Sequence, residues 1–129
     1  MLAGGAVSWA SQRQNSISLS STEAEYVALS IAAQECVWLR RFLKECGYEP
    51  KGSTVIYEDN QGTIALVRNP VNHRRSKHID IRYHYTREQV GSGSIVLEYC
   101  NTNNMAADML TKSVSRVKHN AFRKQVGVL

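Results

Sequence analysis

The stretch TVIYEDN at residues 54–60 decides the class of fold. It begins with β-branched and aromatic residues, as a buried strand does, and it ends at two acids and an asparagine. Residues 61–69 then show the apolar spacing of a short helix, which Pro70 ends. A strand that carries acids at its carboxyl end and leads directly into a helix is typical of a layered α/β domain.

The strongest helix signal lies upstream, over residues 21–46. Ser20 and Thr22 each precede a glutamate by three residues, which is the spacing of a capping box, and Gly47 follows the last turn. Apolar residues recur here with the helical period, and Trp38 belongs to that stripe. We therefore expect one face of this helix to pack on a sheet.

Further elements are predicted on both sides of this pair. They are a strand hairpin over 6–20, a basic loop over 71–77, a helix over 79–90, a strand over 95–100 and a helix that includes residues 105–110. The chain shows no internal repeat and no linker. This order predicts one α/β domain with a mixed sheet flanked by helices.

The composition is that of one intracellular globular domain. The 129 residues are 43% hydrophobic, which is enough for a single core, and the sequence contains neither a membrane-spanning run nor a signal peptide. Three cysteines, at positions 36, 46 and 100, are an odd number without CxxC spacing. We interpret them as reduced and mostly buried thiols, not as a disulfide framework or a zinc site.

Positive charge is concentrated in two blocks within a chain whose formal net charge is +5. One block lies between Arg68 and Lys77, the other follows Asp108, and neither contains an acid. Clustered lysines and arginines attract the phosphates of a nucleic acid irrespective of its sequence. The sequence also leaves open the alternative that these blocks are an ordinary solvated surface.

Three carboxylates from separate elements could meet at one edge of the sheet. Glu25 lies in the first turns of the long helix, Asp59 ends the central strand, and Asp108 lies in the helix after the last strand. Oxygen ligands of this kind suit Mg²⁺. Taken singly, each acid also has a structural interpretation. Glu25 could complement the helix dipole, Asp59 could cap the following helix, and Asp108 could be a solvated helix residue.

Five separated strings resemble one protein family, in that family's order. They are GAVSW at 5–9, SSTEAEY at 20–26, EDN at 58–60, KHIDIRYH at 77–84 and ADMLTK at 107–112. They resemble the ribonuclease H domain of copia-type LTR retrotransposon Pol polyproteins over nearly the whole chain. The resemblance implies a ribonuclease H-like fold with a mixed five-stranded sheet. It also implies magnesium-dependent endonucleolytic cleavage of the RNA strand of RNA–DNA hybrids during reverse transcription.

By this resemblance, the catalytic and metal-binding residues are Glu25, Asp59 and Asp108. The family's helix glutamate matches Glu25, since Glu23 is explained as the capping-box acid. Glu58 is expected on the opposite side of the strand from Asp59, because side chains alternate along a strand. The intact family site holds two Mg²⁺ (or Mn²⁺) ions.

The family also supplies an aspartate from a first strand, whereas no acidic residue precedes Glu23 in this chain. We therefore expect residues 1–112 to form a ribonuclease H-like domain that lacks its first strand, followed by a basic, helical tail over 113–129. Hybrid cleavage by this chain is expected to be weak or absent. The alternative is a catalytically inactive module that only binds nucleic acid or docks on a reverse transcriptase.

Substrate contacts are expected from basic side chains in the predicted loop and the helix after it. They are Arg74, Arg75, Lys77, Arg82 and Arg87. The implied partners are an RNA–DNA hybrid and the reverse transcriptase of the same polyprotein, without a membrane or a small-molecule cofactor. The implied location is intracellular: the cytoplasm, within a virus-like particle, and the nucleus. His78 and His84 are expected to pack or hydrogen-bond locally, because a spacing of six does not form a metal pair.

Overall fold

A computed structural model describes residues 1–15, 18, 20–69 and 77–128, with the backbone alone for 77–80. The chain divides into two compact units. The central unit comprises 17–99, and the terminal unit comprises 1–16 and 100–129. Within the part of the chain that the structure describes, no helix combines the length and the apolar composition that a membrane span requires.

The central unit contains three helices and two strands among its described residues. In chain order they are α1 (Ser21–Glu45), β1 (Thr54–Glu58), α2 (Gln61–Arg68), α3 (Lys77–Gly91) and β2 (Ile95–Tyr99). The two strands pair in parallel, with Thr54 opposite Ile95 and Glu58 opposite Tyr99. Parallel neighbours need a crossover connection, and the segment that contains α2 and α3 makes it.

Helix α1 begins where the capping pattern predicts. Ser20 is its N-cap, and the Ser20 hydroxyl accepts a hydrogen bond from the Glu23 backbone N–H at 3.1 Å. The chain leaves the helix through Gly47 at φ +85°, a left-handed conformation that glycine adopts without steric cost. The predicted helix over 21–46 is therefore confirmed to within one residue.

The core of the central unit lies between the helices and one face of the sheet. Its buried members are Tyr26, Leu29, Ala33, Val37, Val67, Tyr83, Ile95 and Leu97. Full burial of one large apolar side chain stabilises a fold by roughly 2 kcal/mol, so this cluster is the main attachment between layers. The Tyr26 hydroxyl donates to the Tyr83 carbonyl at 3.3 Å and joins α1 to α3. Burial raises the pKa of Tyr26 to about 12.

The terminal unit is built from short elements. Among its described residues they are a 3₁₀ turn (Thr102–Asn104), α4 (Asp108–Thr111) and α5 (Arg116–Gln125). Phe122 of α5 is 2% exposed, and the Ala6 N–H donates to the Val126 carbonyl at 2.9 Å. Gly127 ends α5 at φ +79°, where an added Cβ would lie 2.5 Å from the Gly4 carbonyl oxygen.

The structure confirms the α/β class and most local elements. The predicted strands at 54–57 and 95–100 and the helices at 61–69 and 79–90 are all present, with ends shifted by one or two residues. Among the described residues the sheet has two parallel strands, and the mixed five-stranded sheet stays a prediction. The predicted boundary at residue 112 also stays a prediction, and α5 provides helix within the predicted tail.

Three local predictions are wrong. Residues 6–9, all described, lie in no strand, and Ile17 and Leu19 lie outside the described residues. A hairpin needs further strands or a helix to pack on, and local alternation cannot supply them. The predicted helix around 105–110 is only the short α4, which begins at Asp108 after the 3₁₀ turn. Trp38 is 56% exposed and stacks on Phe42 rather than entering the core.

The prediction that the cysteines are mostly buried is only partly confirmed. Cys36, Cys46 and Cys100, all described, are free thiols. Cys36 is partly buried and packs against the core, whereas Cys46 is exposed at the end of α1. Cys46 is the C-cap of α1, and Cys100 is partly buried.

Candidate functional site

The site is set by the way the chain passes from β1 into α2. β1 ends at Glu58, and Asp59 occupies a bend before the helix. Asn60 is the N-cap of α2, and its side-chain oxygen accepts the Thr63 backbone N–H at 3.1 Å. Asn60, and not Asp59, therefore performs the capping that the sequence left open for Asp59.

The first turns of α1 and α2 lie against each other. The Thr63 hydroxyl donates to the Thr22 backbone carbonyl at 3.2 Å, and Thr63 is completely buried. A Cβ at Gly62 would lie 3.0 Å from the Asn60 side-chain oxygen and 3.2 Å from the Thr22 hydroxyl. Glycine at 62 thus permits the close approach that brings the start of α2 beside the helix that carries Glu25.

The result is a cluster of three carboxylates, which we call the carboxylate cluster: Glu25, Glu58 and Asp59. One oxygen from each lies within 4.8 Å of the others. Glu25 and Asp59 are thus brought together, as the sequence predicted. The prediction that Glu58 points away from Asp59 is wrong. Alternation holds only within a strand, and Asp59 lies in the bend beyond the last strand residue.

Glu58 is the buried acid of the carboxylate cluster. Its residue exposure is 6%, and burial raises the pKa of its carboxyl to about 7. That net value includes the Asn60 backbone N–H, which donates to Glu58 Oε1 at 3.0 Å and lowers the pKa, and the neighbouring charges of Glu25 and Asp59, which raise it. Near neutral pH the cluster therefore contains a carboxyl that is only partly ionised.

The chemistry of this donor set fits a hard divalent cation. All three groups offer carboxylate oxygen, which Mg²⁺ and Mn²⁺ prefer over the nitrogen and sulfur ligands of softer metals. A cation would also offset the mutual repulsion that helps to raise the pKa of Glu58. The residues that could hold a metal within the central unit are thus Glu25, Asp59 and, unexpectedly, Glu58.

Asp108 belongs to the terminal unit, so its approach to Glu25 and Asp59 stays a prediction. It is the first residue of α4, and its side chain is 13% exposed. Its carboxylate binds the Lys112 ammonium at 2.8 Å, one helical turn on. The Asp108 side chain is thus largely covered and paired within its own helix, and both of its interpretations stay open.

The predicted phosphate contacts differ in how far the structure describes them. Arg74 and Arg75 lie outside the described residues, and for Lys77 only the backbone, at the start of α3, is described. Arg82 is partly buried on α3. Arg87 donates to the Leu66 carbonyl at 2.9 and 3.3 Å, so much of its hydrogen-bonding capacity is used within the fold. All five stay predictions as nucleic-acid contacts.

Among the side chains that the structure describes, no histidine belongs to the carboxylate cluster. His84 and His119 have exposed side chains, His73 lies outside the described residues, and for His78 only the backbone is described. Sequence reasoning missed Glu58 as a member of the cluster. The sequence does carry a signal for it, since two acids are followed directly by a residue that can cap a helix. The strand has to end before that cap, so the alternation of side chains does not extend to the second acid.

Relatives that match nearly the whole chain are transposon polyproteins. The retrovirus-related Pol polyprotein from transposon TNT 1-94 of Nicotiana tabacum is 46% identical over 97% of this chain and 9% of that polyprotein. Those from transposons RE2 and RE1 of Arabidopsis thaliana are each 41% identical over 95% of this chain and 8% of those polyproteins.

No protein-family model matches the chain, and no solved structure matches it significantly. The chain spans less than a tenth of the length of these three polyproteins, at 8% to 9%. The chain is homologous to a short region of retrovirus-related Pol polyproteins from transposons.

Proposed function

We propose that this chain is the ribonuclease H region of a transposon polyprotein, a Mg²⁺-dependent endonuclease that cleaves the RNA strand of an RNA–DNA hybrid. One observation carries the proposal. Glu25 and Asp59, which the family resemblance assigned to the catalytic site, come from different elements and meet at the carboxyl end of β1. Homology to Pol polyproteins supports it, because reverse transcription generates such hybrids.

Glu25, Asp59 and Asp108 would hold the metal in this function. Bound there, one or two divalent ions would supply Lewis-acid activation of water and neutralise charge at the scissile phosphate. Asn60 keeps the bend at Asp59 in place through its cap, and Gly62 keeps α2 close to α1. Positioning of this kind matters, because small displacements of catalytic groups cost large factors in rate.

The substrate would be bound through its backbone and recognised by its shape. Arg74, Arg75, Lys77, Arg82 and Arg87 would contact phosphates, which orient a duplex without reading its sequence. The 2′-hydroxyls of the RNA strand would distinguish a hybrid from duplex DNA at the cleavage site. The reverse transcriptase of the same polyprotein would be the protein partner, within a cytoplasmic particle or the nucleus.

A second candidate is a module that binds nucleic acid or a reverse transcriptase without cleaving. The observation that favours it is the ion pair between Asp108 and the Lys112 ammonium at 2.8 Å, which occupies one of the three predicted metal ligands. A metal ion would have to displace Lys112 to reach this carboxylate. We therefore expect weak or absent cleavage by this chain.

The experiment compares metal binding with hybrid cleavage in the same protein. Thermal unfolding is followed with and without Mg²⁺ or Mn²⁺, because a ligand that binds only the folded state raises the melting temperature. We expect a rise for the wild type and none for Asp59→Asn. A labelled RNA–DNA hybrid then tests cleavage, and duplex DNA serves as the substrate control.

Glu98→Gln is the matched control, since Glu98 is an exposed acid on the neighbouring strand and lies outside the carboxylate cluster. A metal-induced rise in wild type and Glu98→Gln but not in Asp59→Asn supports an assembled site. Equal behaviour of all three proteins would favour the non-catalytic module. Robust cleavage that Asp59→Asn abolishes would overturn the expectation of weak activity and establish the enzyme.

A further inference from the structure

A recess lies between one face of α2 and the end of β2, entirely within the central unit. Its volume is about 380 Å³. It is lined by Gln61, Ile64, Ala65, Arg68, Asn69 and Tyr99. The α2 members recur at spacings of three and four, so they share one helical face. None of them belongs to the carboxylate cluster.

The lining combines an apolar floor with polar and aromatic walls. Ile64 is 7% exposed and forms the floor, whereas the ring-bearing residue Tyr99 is 50% exposed. Gln61 and Asn69 place amide groups at the two ends of the helical face. Ligand sites of this size are typically apolar surfaces with a few convergent polar groups.

Arg68 gives the recess a fixed positive charge. One guanidinium nitrogen, Nη2, donates to the Leu97 backbone carbonyl at 3.4 Å, which ties the side chain to β2. A guanidinium has five N–H donors, and that contact uses one of them. A tethered guanidinium of this kind suits a phosphate group, because planar donors match its oxygens.

The recess starts beside the carboxylate cluster and ends at the positive charge. Tyr99 pairs with Glu58, and both are the last residues of their strands, so they lie at the same end of the sheet. Gln61 follows Asp59 by two residues. Arg68 lies seven residues further along α2, roughly 10 Å away at the helical rise. A phosphate would therefore lie at the Arg68 end, away from the acids.

We propose that this recess is a nucleotide subsite, in which a base packs on the Tyr99 ring and its phosphate binds Arg68. The amides of Gln61 and Asn69 would meet polar edges of the base or sugar. The shared ligand chemistry is that of a nucleoside monophosphate, either free or as one unit of a nucleic-acid strand. If the ligand is a nucleotide within a nucleic-acid strand, the inference rests on the proposed function, because that nucleic acid would then pass the carboxylate cluster.

The test is a titration of the isotope-labelled chain with AMP, followed by amide NMR in buffer that contains a chelator. We expect saturable shifts in α2 and at Tyr99. Tyr99→Ala should weaken binding about tenfold, within the range that stacked bases lose on alanine substitution, and Tyr99→Phe should retain it. Tyr57→Ala is the matched control, because Tyr57 is 58% exposed on β1 but lies outside the recess.

Arg68→Met should remove the advantage of AMP over adenosine, and Arg68→Lys should restore part of it. Inorganic phosphate is the second probe. If phosphate reproduces the AMP shifts and Tyr99→Ala changes nothing, the inference is wrong. The inference is also wrong if the AMP shifts fall outside the recess and neither Tyr99→Ala nor Arg68→Met changes the affinity for an RNA–DNA hybrid.

A short RNA–DNA hybrid distinguishes the two sources of the ligand. Effects of Tyr99→Ala and Arg68→Met on hybrid binding alone would assign the recess to a nucleotide within a strand, and effects on AMP as well would show that it accepts free nucleotide. Asp59→Asn separates this inference from the proposed function. It should abolish the metal-induced rise in melting temperature but leave AMP binding intact, so either proposal can fail alone.

Discussion

Replacing Glu58 by glutamine should change how the stability of the fold depends on pH. Glu58 is 6% exposed, and its pKa is raised to about 7, first by burial and then by the charges of Glu25 and Asp59. Glutamine keeps an oxygen that can accept the Asn60 N–H, which now donates to Glu58 at 3.0 Å. The substitution therefore removes the ionisable group and preserves its hydrogen bond.

The sign follows from the two pKa values of Glu58. A carboxyl whose pKa rises from 4.5 to about 7 on folding binds more protons in the folded state between those pH values. Its contribution to stability is fully present below the unfolded pKa and is lost as the pH rises through the folded one. Integrated from pH 5 to pH 8, the loss is on the order of 2–3 kcal/mol for wild type relative to Glu58→Gln.

Urea unfolding in a chelating buffer, with free energies extrapolated at a series of pH values, measures this loss. Comparison with Glu58→Gln cancels the contributions of ionisable groups that lie away from position 58. Glu98→Gln is the control, because Glu98 is an exposed acid one strand away. Parallel pH profiles for wild type and Glu58→Gln would refute the assignment of a raised pKa to Glu58.

The other predictions concern the residues that shape the bend and the helix around it, and urea unfolding checks each. Asn60→Ala removes the cap of α2 and should cost about 1 kcal/mol; an unchanged midpoint would show that the cap is dispensable. Gly62→Ala should destabilise despite better helix propensity, because its Cβ would crowd the Asn60 side chain at 3.0 Å, whereas Gly91→Ala meets nothing within 4 Å and should not. Arg87→Met should cost about 1–2 kcal/mol by leaving the Leu66 carbonyl without the two bonds it accepts; retained stability with weaker hybrid binding would instead favour a phosphate contact.

Local patterns predicted the elements whose determinants are local. Ser20 and Gly47 mark the ends of α1, and both act as the sequence indicated, one by accepting an N–H and one by adopting a positive φ. β1 and α2 were predicted for the same reason. A run of β-branched residues, a capping residue and apolar residues at helical spacing can all be recognised within a short stretch of sequence. The approach of Glu25 to Asp59 followed from placing the start of α1 and the end of β1 at one edge of the sheet.

The failures involve properties that depend on distant chain. A strand at 6–9 requires a neighbour to pair with, and alternation cannot show whether one is present. Trp38 has helical spacing, but whether its side of α1 is covered depends on which layer packs there. Glu58 was misplaced because the rule of alternation was applied to Asp59, which lies beyond the last strand residue.

The Glu58 carboxyl lowers the stability of the fold near neutral pH, and this indicates that the residue serves a site. A buried acid with two like-charged neighbours destabilises the folded state near neutral pH, and an apolar residue at the end of β1 would avoid the cost. The Asn60 N–H offsets only part of it, since the pKa of Glu58 remains raised. Local conflicts of this kind are expected where a fold serves a site. A divalent cation is the one partner in the proposed function that would reverse the sign of the interaction. Metal addition should therefore stabilise the wild type more at pH 8 than at pH 5, and an equal effect at both would separate Glu58 from the metal.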